Sequence, residues 1–421
     1  MMEQIPFDPA DAKAALQQLP HKPAVFALYG ASEKDEPYIG RTPNLRGRLE
    51  RLLQPSAKHP RRLQLAGRVR RIEYHLTGSD FESLLTQFSM LEDVYGSKAL
   101  ERMHLRAPAF VRFLGSNPYP RIVVTNKPSQ REAGWAYGPF ASRAAAERFA
   151  EEMLKLFLLR RCTDDLNPDP SHPGCVYSEM KMCLAPCYKG CSDERYAEES
   201  GAVRDFLATR GGSKLVVLRS ERDAASAKLA FEDASALHAQ VQKVEAVRAL
   251  APELVQPMSK LQAAILQASA NPDEVAVFLF EDGRLRGPVP FSTIGMRIQN
   301  EQSGSSSLFA QPMALEAVPE DQGSATREQG TENPVTAKVP RTMLEARMEL
   351  VLEELTRATE APNATVRQGH LALLKRWYYR PEVKREGEVV FPESDGHWPI
   401  KALLRSAGRI AAKALPTAKT Q

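Results

Sequence analysis

The sequence predicts a multidomain α/β (more narrowly α+β) protein, and three observations carry that expectation. A β-β-α-β-α pattern runs from Ala24 to about Asp93, all five cysteines fall between Cys162 and Cys191, and helix formers dominate from residue 193 to about 270. With 421 residues, 43% of them hydrophobic, the chain can bury more than one core.

The opening unit, residues 1–112, reads as strand VFALYG, a polar turn, strand PYIGR, a helix from Asn44 to Leu53, strand RIEYHL, and a helix opening at Ser79. Ser79 and Glu82 form the sequence signature of a capping box at that start. Residues 113–192 supply a strand (RIVVT), a glycine and aromatic turn (GWAYGPF), an amphipathic helix and then a loop rich in Asp, Asn, Pro and Gly. Residues 193–270 read as a helical arm with apolar residues at helical spacing. Residues 271–299 read as a β-hairpin turning at Asp282-Gly283, a strong short-range hairpin signal. The polar 300–342 segment is expected to be a disordered linker, because it holds too little apolar surface to form a core. Residues 343–421 read as a helical tail with an aromatic cluster around His370, Trp377, Tyr378 and Tyr379, expected to pack against the hairpin.

The 56 Lys and Arg exceed the 52 Asp and Glu by only four, so net charge alone does not argue for a nucleic-acid partner. Clustering argues better: Arg61, Arg62, Arg68, Arg70 and Arg71 crowd one stretch that suits phosphates as well as it suits a solvated face. No run of about 18 apolar residues occurs, so a cytoplasmic protein without membrane contact is expected. In a reducing compartment, Cys162, Cys175, Cys183 and Cys187, spaced C-x12-C-x7-C-x3-C, point to metal ligation rather than disulfides. That spacing suits Zn2+ and an iron-sulfur cluster equally.

The segment PAVFALYG followed by PYIGRTPNLRGRL resembles the GIY-YIG nuclease core at the start of the UvrC family, the C subunits of the UvrABC excision-repair endonuclease. The resemblance extends over about 245 residues and implies a tyrosine pair that activates water, an arginine on the scissile phosphate, and a glutamate holding Mg2+ or Mn2+. Tyr38 and Arg48 match, and Arg41 replaces a lysine. Phe26, Leu52 and Gln87 stand where the family has tyrosine, tyrosine and glutamate, and Val111 stands for an asparagine. An amide is a poor ligand for a hard cation. Glu82 or Glu92, on the helix of Gln87, are the substitutes available nearby.

The cysteine segment is similar to the same family's [4Fe-4S] site, with LFLLRRC leading in, an APC ending and Tyr137-Gly138-Pro139-Phe140 upstream. Cys191 is additional and is expected to be a free thiol or a substitute ligand. KLAFEDASALHAQV, inside a UVR-like region of about residues 215–250, resembles the UVR motif that contacts the UvrB subunit, which UvrA loads onto damaged double-stranded DNA. Phe231, Glu232, Ala234, Leu237 and Val241 carry that match, whereas His238-Ala239 replaces its Arg-Asp pair. The hairpin resembles the first strands of the family's RNase H-like second nuclease domain, with no recognisable remainder after it, an outline close to the short Cho-type homologues. Two functions follow from the resemblance: an excision-repair endonuclease, or a non-catalytic DNA- and UvrB-binding module with a degenerate nuclease site.

Overall fold

A computed structural model describes residues 2–32, 35–54, 65, 67–115, 118–128, 134–163, 166–296, 340–357 and 361–414. Arg61, Arg62 and all but the last three residues of the 300–342 segment lie outside them. Mixed helix and sheet prevail, with three four-stranded antiparallel sheets.

The first sheet comes from β1 (Glu3–Pro6), β2 (Ala24–Tyr29), β3 (Tyr38–Thr42) and β4 (Arg71–Leu76), ordered β1-β4-β2-β3. Helix α1 (Ala12–Gln17) and helix α2 (Leu45–Leu53) cover one face, where Phe26, Leu28, Leu45, Leu49 and Leu53 are buried together. Asn44 caps α2 by accepting from the Gly47 N–H at 3.0 Å. The opposite face meets α3 (Asp80–Tyr95), whose cap Ser79 accepts from the Glu82 N–H at 3.1 Å, as the sequence predicts. After α3 comes the single turn α4 (Ala99–Arg102).

The second sheet holds β5 (Ala109–Phe113), β6 (Ile122–Thr125), β7 (Ala136–Phe140) and β8 (Gln256–Pro257), in the order β6-β5-β7-β8. Residue 112 falls inside β5, so the expected boundary after it cuts a strand. The GWAYGPF segment, expected to be a turn, supplies β7, with all five strand residues buried. Gly138 is needed there because a Cβ would sit 2.6 Å from the Phe110 ring. Helix α5 (Arg143–Leu154) packs on this sheet and the one-turn α6 (Val176–Glu179) lies in the cysteine loop.

The arm consists of α7 (Asp193–Ala208), α8 (Gly212–Ala227) and α9 (Phe231–Ala249), and stops there rather than at residue 270. Ala263–Ala268 is β9, an inner strand of the third sheet. Its residues are buried on both faces, so AAILQA lacks the alternation that marks a half-exposed strand and blends with the helical composition before it.

Strands β10 (Glu274–Glu281) and β11 (Arg284–Ser292) form the predicted hairpin, with Asp282 and Gly283 both at positive φ. The tail is no appendage to it. Helix α10 (Arg341–Thr356), α11 (Ala364–Tyr378), β12 (Glu388–Val390) and α12 (Ile400–Ala414) complete a sheet ordered β11-β10-β9-β12. Strand β12, too short to read in the sequence, pairs antiparallel with β9. Side chains alternate along β10: Val275, Val277 and Leu279 face α10 and α12, while Ala276, Phe278 and Phe280 face α11 and α3. Helix α3 therefore lies in one core shared with the third sheet and α11, into which Ile39 of the first sheet also packs.

Candidate functional site

Two regions contain the residues singled out in the sequence. In the first sheet, Arg48 Nη2 donates to Tyr38 Oη at 3.4 Å, so the two matching nuclease positions meet. Their surroundings are apolar. Phe26 is fully buried with its ring 6.1 Å from that of Tyr38, and Leu52 is buried beside them. Phe26 lies directly across from Gly40, where a Cβ would come within 2.9 Å of its ring.

Alternation along β3 separates the remaining positions. Tyr38 belongs to the α1–α2 side, whereas Ile39 packs into the α3 core. Arg41 likewise turns to α3, where it pairs with Asp80, and Asp80 also accepts from Arg380 at 2.5 Å. Burial alone would raise the Asp80 carboxyl, but the two guanidinium groups outweigh it and hold it below its usual range. Tyr38 and Arg48 thus lie on one face, and Arg41 with the helix of Gln87 on the other.

The substitute carboxylates are engaged. Glu82 is buried, accepts from the Gly78 N–H at 2.8 Å and lies 3.4 Å from His75 Nε2. Glu92 accepts from the Asn363 side chain at 3.1 Å. Of the described basic cluster, Arg70 donates to the carbonyls of Gly67 and Val69, and Arg71 pairs with Glu73 while covering the Tyr29 ring. Arg68 is exposed.

In the cysteine loop, Cys162, Cys175, Cys183 and Cys187 line one small hollow together with Arg160, Arg161 and Tyr177. Several hydrogen bonds shape it: Leu184 N–H to Leu158 O at 3.0 Å, Asp169 N–H to Cys187 O at 2.9 Å, and Ala185 N–H to Cys183 Sγ at 3.4 Å. Burial pushes the Cys183 and Cys187 thiols up, and Cys175 and Cys162 push both further, since neighbouring thiolates repel. Among the described residues no group of three or more His, Cys, Asp or Glu is placed to hold a metal ion as the side chains stand. The donor set nonetheless fits a four-thiolate metal centre of net negative charge: four sulfurs and two arginines line the hollow, and Arg161 Nε is a buried donor with no hydrogen-bond partner among the described residues. Cys191 is not in the lining and packs instead against the second-sheet core.

On the arm, the UVR-like stripe divides along its length. Val241 is 3% exposed and Leu237 packs into the core, but Phe231 is 65% exposed, beside Leu229 at 71% on the α8–α9 turn. Glu232 is exposed and Ala234 half-buried. The α11 aromatics are structural: Trp377 Nε1 donates to Glu386 O at 2.8 Å, Tyr379 Oη donates to Pro139 O at 2.8 Å, and His370 Nδ1 accepts from the Leu285 N–H at 2.9 Å. Sequence reading missed Arg160, Asp80 and Arg380. The first carries a legible signal, its place two residues before Cys162; the other two meet only through the fold.

Residues 110–206 match the family model for the UvrC/Cho excinuclease middle domain. Among curated proteins, the chain is 28% identical over 238 residues to UvrABC system protein C of Alcanivorax borkumensis, covering 56% of this chain and 39% of that one. It is 26% identical over 239 residues to the Aliivibrio fischeri protein of that name, again covering 56% and 39%. With the Aromatoleum aromaticum protein it shares 28% over 244 residues, covering 58% and 40%. The chain thus spans about two fifths of the length of these relatives. No solved structure matches. No helix among the described residues is long and apolar enough to cross a membrane. Over residues 110–206 the chain matches a UvrC/Cho middle-domain model, and over some 240 residues it is similar to UvrABC system protein C.

Proposed function

We propose that the chain acts in nucleotide excision repair as a DNA- and partner-binding member of the UvrABC system, whose first sheet supports incision rather than performing it. One observation carries this reading: the Tyr38–Arg48 pair is walled by buried Phe26 and Leu52, across the sheet from Arg41 and from the helix on which the metal ligand would stand. A one-metal hydrolysis needs base, arginine and carboxylate around one phosphate. Glu82 and Glu92, each already engaged, are poor replacements.

The same reading gives the four-thiol hollow a [4Fe-4S] cluster, with Zn2+ as the alternative that the absorption spectrum distinguishes. Cys162, Cys175, Cys183 and Cys187 would hold the cluster, which would brace a loop otherwise short of packing. Damaged double-stranded DNA is the substrate class, and the exposed Phe231 end of the α8–α9 hairpin is the surface for UvrB.

The test is incubation of the anaerobically purified chain with Mg2+ or Mn2+ and a lesion-bearing duplex preloaded with UvrA and UvrB. Retention on the UvrB–DNA complex without a nick is expected. A 3′-side nick that disappears in Tyr38→Phe and Arg48→Ala would overturn the non-catalytic reading and restore the endonuclease.

A further inference from the structure

Arg160 is 1% exposed, deeper than any of the cysteines around the hollow it lines. Its guanidinium is fixed on two sides: Nη1 donates to Cys162 Sγ at 3.4 Å and lies 3.5 Å from Cys162 O, while Nε donates to Tyr119 O at 2.9 Å. Its backbone is fixed as well, because the Arg160 N–H donates to Tyr196 Oη at 3.1 Å and that hydroxyl donates to Pro120 O at 2.8 Å. A guanidinium this deep is costly to desolvate unless negative charge lies beside it. The four cysteines lining the hollow, deprotonated as ligands, would supply that charge.

We propose that Arg160 is the built-in counter-cation of the four-thiolate centre: it orients Cys162 as a ligand and raises the reduction potential of the cluster held there. A fixed positive charge with a hydrogen bond to a ligand sulfur stabilises the more reduced, more negative state of a cluster over the oxidised one. The inference rests on the cluster reading above. Arg161 offers an internal comparison, since it lines the same hollow but donates its Nη2 hydrogen to Leu154 O at 2.8 Å.

The experiment uses the full chain, reconstituted anaerobically with ferrous iron and sulfide, assayed for iron and sulfide, and titrated with dithionite under electron paramagnetic resonance and visible absorption. Arg160→Met and Arg160→Gln are expected to move the one-electron potential downward by about 59 mV or more, a tenfold loss in the reduced-to-oxidised ratio at fixed potential. The glutamine variant keeps a donor for Tyr119 O, which separates lost charge from lost packing. Arg160→Lys should recover more than half of the shift, and Arg161→Met should show less than a third of it. Neutral variants that load fully and titrate at the wild-type potential would overturn the Arg160 assignment and leave the cluster standing. A wild-type chain that takes up zinc but no sulfide would overturn the cluster reading itself. Failure of both neutral variants to assemble, with assembly and a wild-type potential in Arg160→Lys, would uphold the requirement for charge.

Discussion

The first sheet and the cysteine loop hold the two sets of residues that the sequence marks for chemistry, and they treat them in opposite ways. In the sheet, positions suited to nucleophile activation are occupied by Phe26 and Leu52, which join a continuous apolar core with Leu45, Leu49 and Tyr74. In the loop, four thiols, the buried Arg160 and the half-buried Arg161 line a hollow, while Val176 and Met180 are left exposed on the outside. The sheet surrounds its marked positions with ordinary apolar packing, whereas the loop turns cysteine and arginine side chains inward and leaves two apolar side chains outside. A place where packing rules fail is better evidence of function than a motif that folds well.

The contrast can be broken or sharpened experimentally. The largest effect is expected from Cys183→Ala: near-complete loss of bound iron, together with loss of near-ultraviolet dichroism from Tyr177 and Tyr188 as the loop loosens. Iron content unchanged from wild type would remove the basis of the contrast. Next comes Gly78→Ala on the other side. A Cβ there would lie 2.2 Å from the backbone carbon of Ser269, at the seam where the first sheet's α3 meets the third sheet. Destabilisation of about 3 kcal/mol by denaturant titration is expected, since backbone cannot yield as a side-chain tip can.

The same seam contains His370, whose imidazole burial lowers to about 3, with Arg284 adding to the shift. The unfolded chain takes up this proton near pH 6.5 and the folded chain only near pH 3, so the histidine's contribution is complete above about 6.5 and is lost as pH falls between the two. Melting temperature should therefore drop from pH 7 to pH 5. His370→Asn, which can keep an acceptor for the Leu285 N–H, should flatten that slope; an unaltered slope would place the responsible group elsewhere. Smallest is Phe26→Tyr, which buries a hydroxyl for about 1–2 kcal/mol and gains no incision. A nick produced by this one change would show that the sheet lacks only a hydroxyl.

Local signals in the sequence translated well. Ser79 caps the helix it was expected to cap, Asn44 marks the expected start of α2, and Asp282-Gly283 turns the hairpin. The grouping of four cysteines around one hollow, with Cys191 outside it, also agrees with the spacing. What stayed hidden depends on distant partners. Strand β9 resembles the helical arm until β10 and β12 flank it, and three residues of β12 have no periodicity to read. Helix α3 looks like the wall of a small domain because nothing near Phe88 announces that Gly369 will approach so closely that a Cβ there would sit 2.1 Å from its ring. Arg41 reads as a phosphate contact until it is seen to share Asp80 with Arg380.

The pairing of β12 with β9 has a consequence for how the polypeptide can be divided. Residues 340–414 donate a strand to a sheet begun before residue 297, bury α11 against α3, and send Arg380 back to Asp80. Covalent continuity between Met296 and Pro340 is thus not what holds these parts together. Two separately produced pieces, 1–296 with three strands of this sheet and 340–421 with the fourth, are expected to reassemble on mixing, as a split protein whose junction reports whether the third sheet has formed.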